Sequence, residues 1–155
     1  TTNVRPNDER FYDFLRTTKI PLIGLCGGCQ LIGNAHGTPV VPLRRLRPGE
    51  ADPSPGYHPG MFKEKGFLGV KVNQADPLLA GLPDEFVVSQ SHAFQLSDTP
   101  PGFELLASSA ECRVQVMRHW ERAVYGVQFH PENYDNEHSH GRTVLENFFR
   151  LALRN

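Results

Sequence analysis

Cysteine is scarce in this chain. Its three thiols in 155 residues are an odd number; they make no disulfide framework and fit a reducing compartment. Long apolar runs are missing too: no stretch approaches the ~20 residues a membrane helix requires, and the polar N-terminus lacks a signal-peptide core. A cytoplasmic location and no membrane partner are therefore expected. Charge of one sign is also missing, since 16 basic and 17 acidic side chains leave a formal net charge of −1. That balance lacks the electrostatic footprint of a nucleic-acid binder. Arg44, Arg45 and Arg47 form a local cluster that reads as a solvated loop. Internal repeats, low-complexity tracts and P-loop glycines are absent as well. What remains, with 39% hydrophobic residues, is a single globular domain over residues 1–155 with a core of its own.

The domain is organised around Ile20-Pro21-Leu22-Ile23-Gly24-Leu25-Cys26-Gly27-Gly28-Cys29-Gln30-Leu31-Ile32-Gly33. Unalternating Leu and Ile suit a strand covered on both faces, and the glycines allow a sharp turn into a helix. Cys26 would stand at the carboxyl end of that strand and at the N-terminus of the helix, where free N–H groups favour a thiolate and can hold an oxyanion. Ahead of it, residues 6–17 predict an amphipathic helix, with Asn7 as cap, Asp8 and Glu9 in the first turn, and Phe11, Phe14 and Leu15 on one face. Behind it, Gly37 and Pro39 end the second helix and Val40-Val41 start an edge strand. Residues 42–66 carry five prolines among glycines and charges and predict a surface excursion.

Strands are then expected at 67–72, 85–90, 104–108, 112–117 and 123–129, with a short helix at 76–83 and a closing amphipathic helix from about Gly141.

A cysteine nucleophile needs a base, and the base needs an orienting group. Phe129-His130-Pro131-Glu132 supplies both directly after an apolar strand. His130 emerges at a strand end, and Glu132 lies two residues on across a stiffening proline. Cys26, His130 and Glu132 are thus a candidate catalytic relay. His130, Glu132, Asp135, Glu137, His138 and His140 are also of metal-ligating types, but a solvated polar loop beside a catalytic pair is the favoured reading. Cys112 reads as inert core.

With these residues in view, Gly24-Leu25-Cys26-Gly27-Gly28-Cys29-Gln30 resembles the nucleophile motif of the class I glutamine amidotransferases, Gly-x-Cys-x-Gly-x-Gln. Tyr125-Gly126-Val127-Gln128-Phe129-His130-Pro131-Glu132 resembles their His-x-Glu block. The resemblance runs from about residue 8 to the C-terminus, includes Ser91-His92, Asp76-Pro77-Leu78 and Gly102-Phe103, and is to the GMP-synthase-like members. It implies an α/β fold in three layers (αβα, flavodoxin-like), a mostly parallel sheet with an antiparallel extension. It also implies glutaminase chemistry: attack on the glutamine side-chain amide, release of ammonia, and hydrolysis of a γ-glutamyl thioester. Cys26 is then the nucleophile, His130 the general base and acid, Glu132 its orienter and Gly27 an oxyanion donor. Gln30, Ser91, His92 and Phe94 contact the substrate glutamine. No cofactor and no metal are implied; the expected partners are glutamine and a synthetase subunit or domain that accepts the ammonia.

The sequence departs from the family pattern twice. Cys29 stands where many members have His, and creates a Cys-x-x-Cys. Family members also carry a βαβ portion ahead of the nucleophile, ~30 residues or more for such a unit, whose glycine loop gives a second oxyanion donor. This sequence has 25 residues there, so an N-terminally incomplete domain is expected, with one sheet flank open to a partner or to a second copy. A γ-glutamyl hydrolase, a non-catalytic binding domain and a Cys-x-x-Cys thiol oxidoreductase are the alternative readings.

Overall fold

The structure is a computed structural model and describes residues 6–154. Helix α1 (Pro6–Thr17) buries Tyr12 and Leu15, while Phe11 and Phe14 stay 46% and 42% exposed. The buried stripe thus runs through Tyr12 rather than through the two phenylalanines. The proposed Asn7 cap and first-turn Asp8 lie outside the residues whose side chains are described. Strand β1 (Leu22–Leu25) leads through Cys26 into α2 (Gly27–Ala35), which stops at His36 and the left-handed Gly37, φ 85°.

Strand β2 (Val40–Pro42) is followed by the expected excursion. It carries only one isolated bridge, Arg45 to Met61, and is pinned by Lys63, whose buried ammonium meets Asp52 at 2.8 Å and the His58 and Met61 carbonyls. Arg44 is not solvated as the cluster reading implied. It bridges Glu50 and Glu111, 2.8 and 3.0 Å away, and lies over the Phe62 ring.

The second half supplies β3 (Glu64–Val72), a 3-10 turn (Pro77–Leu79), β4 (Glu85–His92), β5 (Phe94–Leu96), β6 (Phe103–Ser108), β7 (Val116–His119), β8 (Val124–Val127) and α3 (His140–Leu153). Strand β5 is an element the sequence pattern does not signal; it pairs with β2 in a separate two-stranded ribbon. Cys112 was expected on a strand but falls in an irregular stretch before β7, where it is buried. The Asp76 side chain caps the 3-10 turn by accepting the Leu78 N–H, and it also holds Arg118 and the Tyr125 hydroxyl.

Six strands form one mixed sheet in the order β1-β8-β7-β6-β3-β4. Among the described residues only β1 and β8 run parallel, so the expectation of a mostly parallel sheet is corrected: β7 returns directly to β8 through residues 120–123, and β3 lies between β4 and β6 and pairs antiparallel with both. The α/β class and the three layers hold. One core places α1 and α2 on a face with Leu96, Val114, Met117 and Val124; the other places α3 and the 3-10 turn against Val70, Phe86, Val88, Leu106 and Val127. Strand β1 is the outermost strand, and beside it Phe11, Leu15, Gly28 and Leu31 line an open apolar cavity of about 190 Å³.

Helix α2 rides unusually close to the sheet. A Cβ on Gly24 would stand 2.5 Å from the Gly28 backbone, and one on Gly126 would stand 2.8 Å from Cys29 Sγ. These two absent side chains set the position of the helix that begins at Cys26.

Candidate active site

Cys26 is the point where β1 becomes α2, and its backbone shows the sharpness of the turn: φ 49°, ψ −105°, a left-handed conformation for a residue with a Cβ. Such a residue stores ~1–3 kcal/mol of strain and persists only where its surroundings impose it. Here they do, because β1 is locked to β8 in parallel register, Leu25 opposite Val127, and the Cys26 N–H donates to the Val127 carbonyl at 2.8 Å. The turn lifts the half-buried thiol to the carboxyl end of the sheet.

The neighbouring strand delivers its own residues to the same end. Past Val127 the chain runs through Gln128 and Phe129 to His130, whose N–H donates to the Ser89 carbonyl at 2.8 Å. His130 Nδ1 lies 2.7 Å from Glu132 Oε1. Among the described residues Nε2 makes no hydrogen bond, and none joins the ring to the Cys26 thiol. Cys26 and His130 thus follow the carboxyl ends of adjacent parallel strands, and Glu132 orients the imidazole through Nδ1.

Burial dominates the thiol's electrostatics. It pushes the Cys26 pKa up, and Glu132 adds to the rise; the Gly27 N–H and the Gln128 amide pull the other way. The low thiol pKa expected from the helix terminus is therefore not found in the free protein, because desolvation outweighs the helix N–H groups. Cys29 is fully buried in the α2 core and its thiol is pushed up further still. A redox Cys-x-x-Cys pair needs an accessible, acidic thiol, and neither sulfur of this pair provides one. Cys112 is likewise buried with a raised pKa.

The substrate-contact residues named from the sequence divide into two groups. Gly27, Gln30 and Phe94 line a cleft of about 640 Å³ with Asn34 and Val40, directly beside the nucleophile turn. Ser91 and His92 instead line a different cavity of about 290 Å³ with Lys63 and Glu64. The His92 side chain is buried, Nε2 2.9 Å from Glu64 Oε1 and Nδ1 2.8 Å from the Phe94 carbonyl. The histidines after His130 have partners: His138 pairs with Asp135 within the loop, and His140 Nδ1, at the start of α3, accepts the Val87 N–H of β4.

Sequence reading missed Gln128. It is fully buried, and its Nε2 donates to Cys26 Sγ at 3.5 Å. The signal was an amide between two apolar strand residues, Val127 and Phe129, on the same side of β8 as Gly126, which meets α2.

A strained cysteine elbow beside a histidine and carboxylate at the next strand end accords with the family comparison. The family model for glutamine amidotransferase class I matches residues 2–152. The chain belongs to the class I glutamine amidotransferases. It is 31% identical over 146 residues to a glutamine-hydrolyzing GMP synthase subunit of Pyrococcus abyssi, covering 94% of this chain and 68% of that one. With the corresponding GMP synthase subunit of Methanocaldococcus jannaschii it shares 34% identity over 90% of this chain and 64% of the relative. The chain thus spans about two thirds of the length of these amidotransferase relatives. Among solved structures, a putative GMP synthase subunit from Thermoplasma acidophilum superposes with a TM-score of 0.75 at 28% identity, over 95% of this chain and 64% of that one. A glutamine amidotransferase from Thermotoga maritima shares the fold, with a TM-score of 0.73 at 16% identity over 96% of this chain and 69% of that one.

Proposed function

We propose that this amidotransferase domain hydrolyses the side-chain amide of glutamine through a Cys26 thioester and releases ammonia to a synthetase subunit or domain. The observation that carries the reading is the shared strand end: Cys26 one residue beyond the β1–β8 register, and the His130–Glu132 pair three and five residues beyond Val127 on the adjacent strand.

In this reading His130 Nε2 takes the thiol proton as Sγ attacks the amide carbon, and Glu132 stabilises the imidazolium that forms. The tetrahedral oxyanion meets the Gly27 N–H at the start of α2, where the helix dipole favours negative charge. Imidazolium then protonates the departing nitrogen, ammonia leaves, and His130 deprotonates the water that cleaves the thioester. The raised thiol pKa fits this order, because proton transfer accompanies attack and no free thiolate has to persist in the resting enzyme. Gln30 and Phe94 in the adjoining cleft contact the substrate. His92 lies behind them, and its part is to back the Phe94 carbonyl; Ser91 is exposed and lines the neighbouring cavity. The relatives' names support a synthetase acceptor that makes GMP.

Incubation with a diazo-ketone analogue of glutamine, followed by peptide mass spectrometry, tests the nucleophile: a covalent adduct on Cys26 is expected, prevented by excess glutamine. An adduct on Cys29 or Cys112, or ammonia release that survives Cys26→Ala, overturns it.

A further inference from the structure

Gln128 touches the nucleophile itself, and a line of hydrogen bonds decides which end of its amide does so. Gln30 Nε2 donates to both the Phe94 carbonyl, 3.2 Å, and Gln128 Oε1, 3.1 Å. Both acceptors are oxygens, so the Gln30 amide cannot be turned over without losing both bonds. With Gln128 Oε1 committed to Gln30, Gln128 Nε2 is the end presented to Cys26 Sγ. The line is anchored deeper. The Phe94 carbonyl also accepts from His92 Nδ1, while His92 Nε2 is held by Glu64, itself fixed by Gln115 at 2.8 Å and by the Ser109 hydroxyl at 2.8 Å. Every member from Glu64 to Gln128 is buried or half-buried; reversing the Gln30 or Gln115 amide would set oxygen against oxygen, and reversing Gln128 would set its NH2 against that of Gln30.

We infer that Gln128 is a positioning residue for the glutaminase reaction, its amide N–H held toward the Cys26 sulfur by Gln30 so that it supports the negative charge that grows there. The inference rests on the glutaminase reading for its purpose, but the contact concerns the thiol alone. A donor aimed at the sulfur favours the thiolate over the thiol; the opposite amide orientation would place a carbonyl lone pair there and oppose it. The titratable groups that bear on the same sulfur are Glu132, whose charge opposes the thiolate, His130 at the adjacent strand end, and Cys29 on its own helix. None of these is altered by changing Gln128. The residue does not itself line the cleft beside Gly27, but Gln30, which does, donates to its Oε1, so the readout that isolates its effect on the sulfur is the thiol's own pH dependence.

The test is the pH dependence of Cys26 alkylation by iodoacetamide, read by mass spectrometry on the intact chain; Cys29 and Cys112 are buried and report nothing. Gln128→Met keeps the length of the side chain and removes the donor. It is expected to raise the alkylation midpoint by about one pH unit, roughly tenfold less thiolate at neutral pH. Ammonia release should fall with it. A merely structural role would lower the melting temperature and leave the midpoint where it was, and that result overturns the inference. Should Gln128→Met not fold, Gln30→Met decides. It lies half-buried at the cleft, leaves Gln128 in place and frees its amide to turn, so the midpoint is expected to rise by a smaller amount; an unmoved midpoint overturns the inference equally. Alkylation needs no glutamine, so a failure here leaves the glutaminase reading standing, and a chain that releases no ammonia leaves the midpoint shift standing.

Discussion

Cys26 and His130 reach the same end of the sheet by opposite means. On the cysteine side the backbone is forced into a left-handed turn, two strands are locked in register, and α2 is drawn so close that Gly24 and Gly126 have no room for a Cβ. On the histidine side the chain has already left β8. His130 is held by backbone bonds to Ser89 and Asn133 and by Glu132, whose side chain is 45% exposed. The proposed nucleophile is placed by the packing of the fold, whereas the proposed base is placed by a short loop and a partly solvated ion pair. Damage to the core should therefore reach the cysteine first, and damage to a surface carboxylate should reach only the histidine.

The largest effect expected from this contrast is that of Gly24→Ala. The new methyl would lie against the backbone of Gly28 rather than against a yielding side chain, so α2 must lift. Overpacking of this kind costs roughly 1–3 kcal/mol, visible as a lower midpoint in urea unfolding, with ammonia release lost in the same variant because the elbow moves with the helix. Stability within about 0.5 kcal/mol of the parent, the usual range for substitutions that touch nothing, would erase the distinction between the two sides. Next in size is Glu132→Gln, which keeps the shape but removes the charge that stabilises the imidazolium. Turnover should fall by about tenfold to a hundredfold, and the melting temperature should hold, since exposed pairs contribute little to stability. A variant that unfolds would show that the loop is a structural member after all. Smallest is the stability change in Cys26→Gly. The variant abolishes turnover, yet it relieves the left-handed strain and should stabilise the fold by about 1 kcal/mol, measured by thermal unfolding beside Cys26→Ala, which keeps the strain and should not gain.

The same contrast explains what the sequence discloses. The elbow is written locally: a run of Leu and Ile, three glycines and a cysteine leave few other conformations, and β1, the turn and α2 are legible from them. The His130–Glu132 pair is legible for the same reason, since two residues and a proline fix their separation. Longer-range geometry is not. The direction of the strands after β3 depends on which neighbours pair, and the insertion of β3 between β4 and β6 is a choice that strand propensity cannot reveal. The buried face of α1 passes through Tyr12 because α2 lies on that side. The family resemblance groups Ser91 and His92 with Gln30 and Phe94, but alternation along β4 and the carboxylate of Glu64, 28 residues away, draw His92 inward. Burial sets the thiol against the helix terminus, and no reading of the turn alone weighs the two.

The parallel pairing of β1 with β8 also acts as a ruler for sequence change. Leu25 faces Val127, and the reacting groups are counted from that pair: one position to Cys26, three to His130. One extra residue between Val127 and His130 would carry the imidazole ~3.3 Å along the chain and turn it to the opposite face of the sheet. Cys26 and Gln128 are 102 positions apart, yet the excursion between them, from Leu43 to Phe62, can lengthen or shorten without disturbing either count, because the cost of loop closure grows only slowly with length. Insertions and deletions in relatives of this chain should accordingly gather in that excursion and spare the few positions that follow each of the two strands.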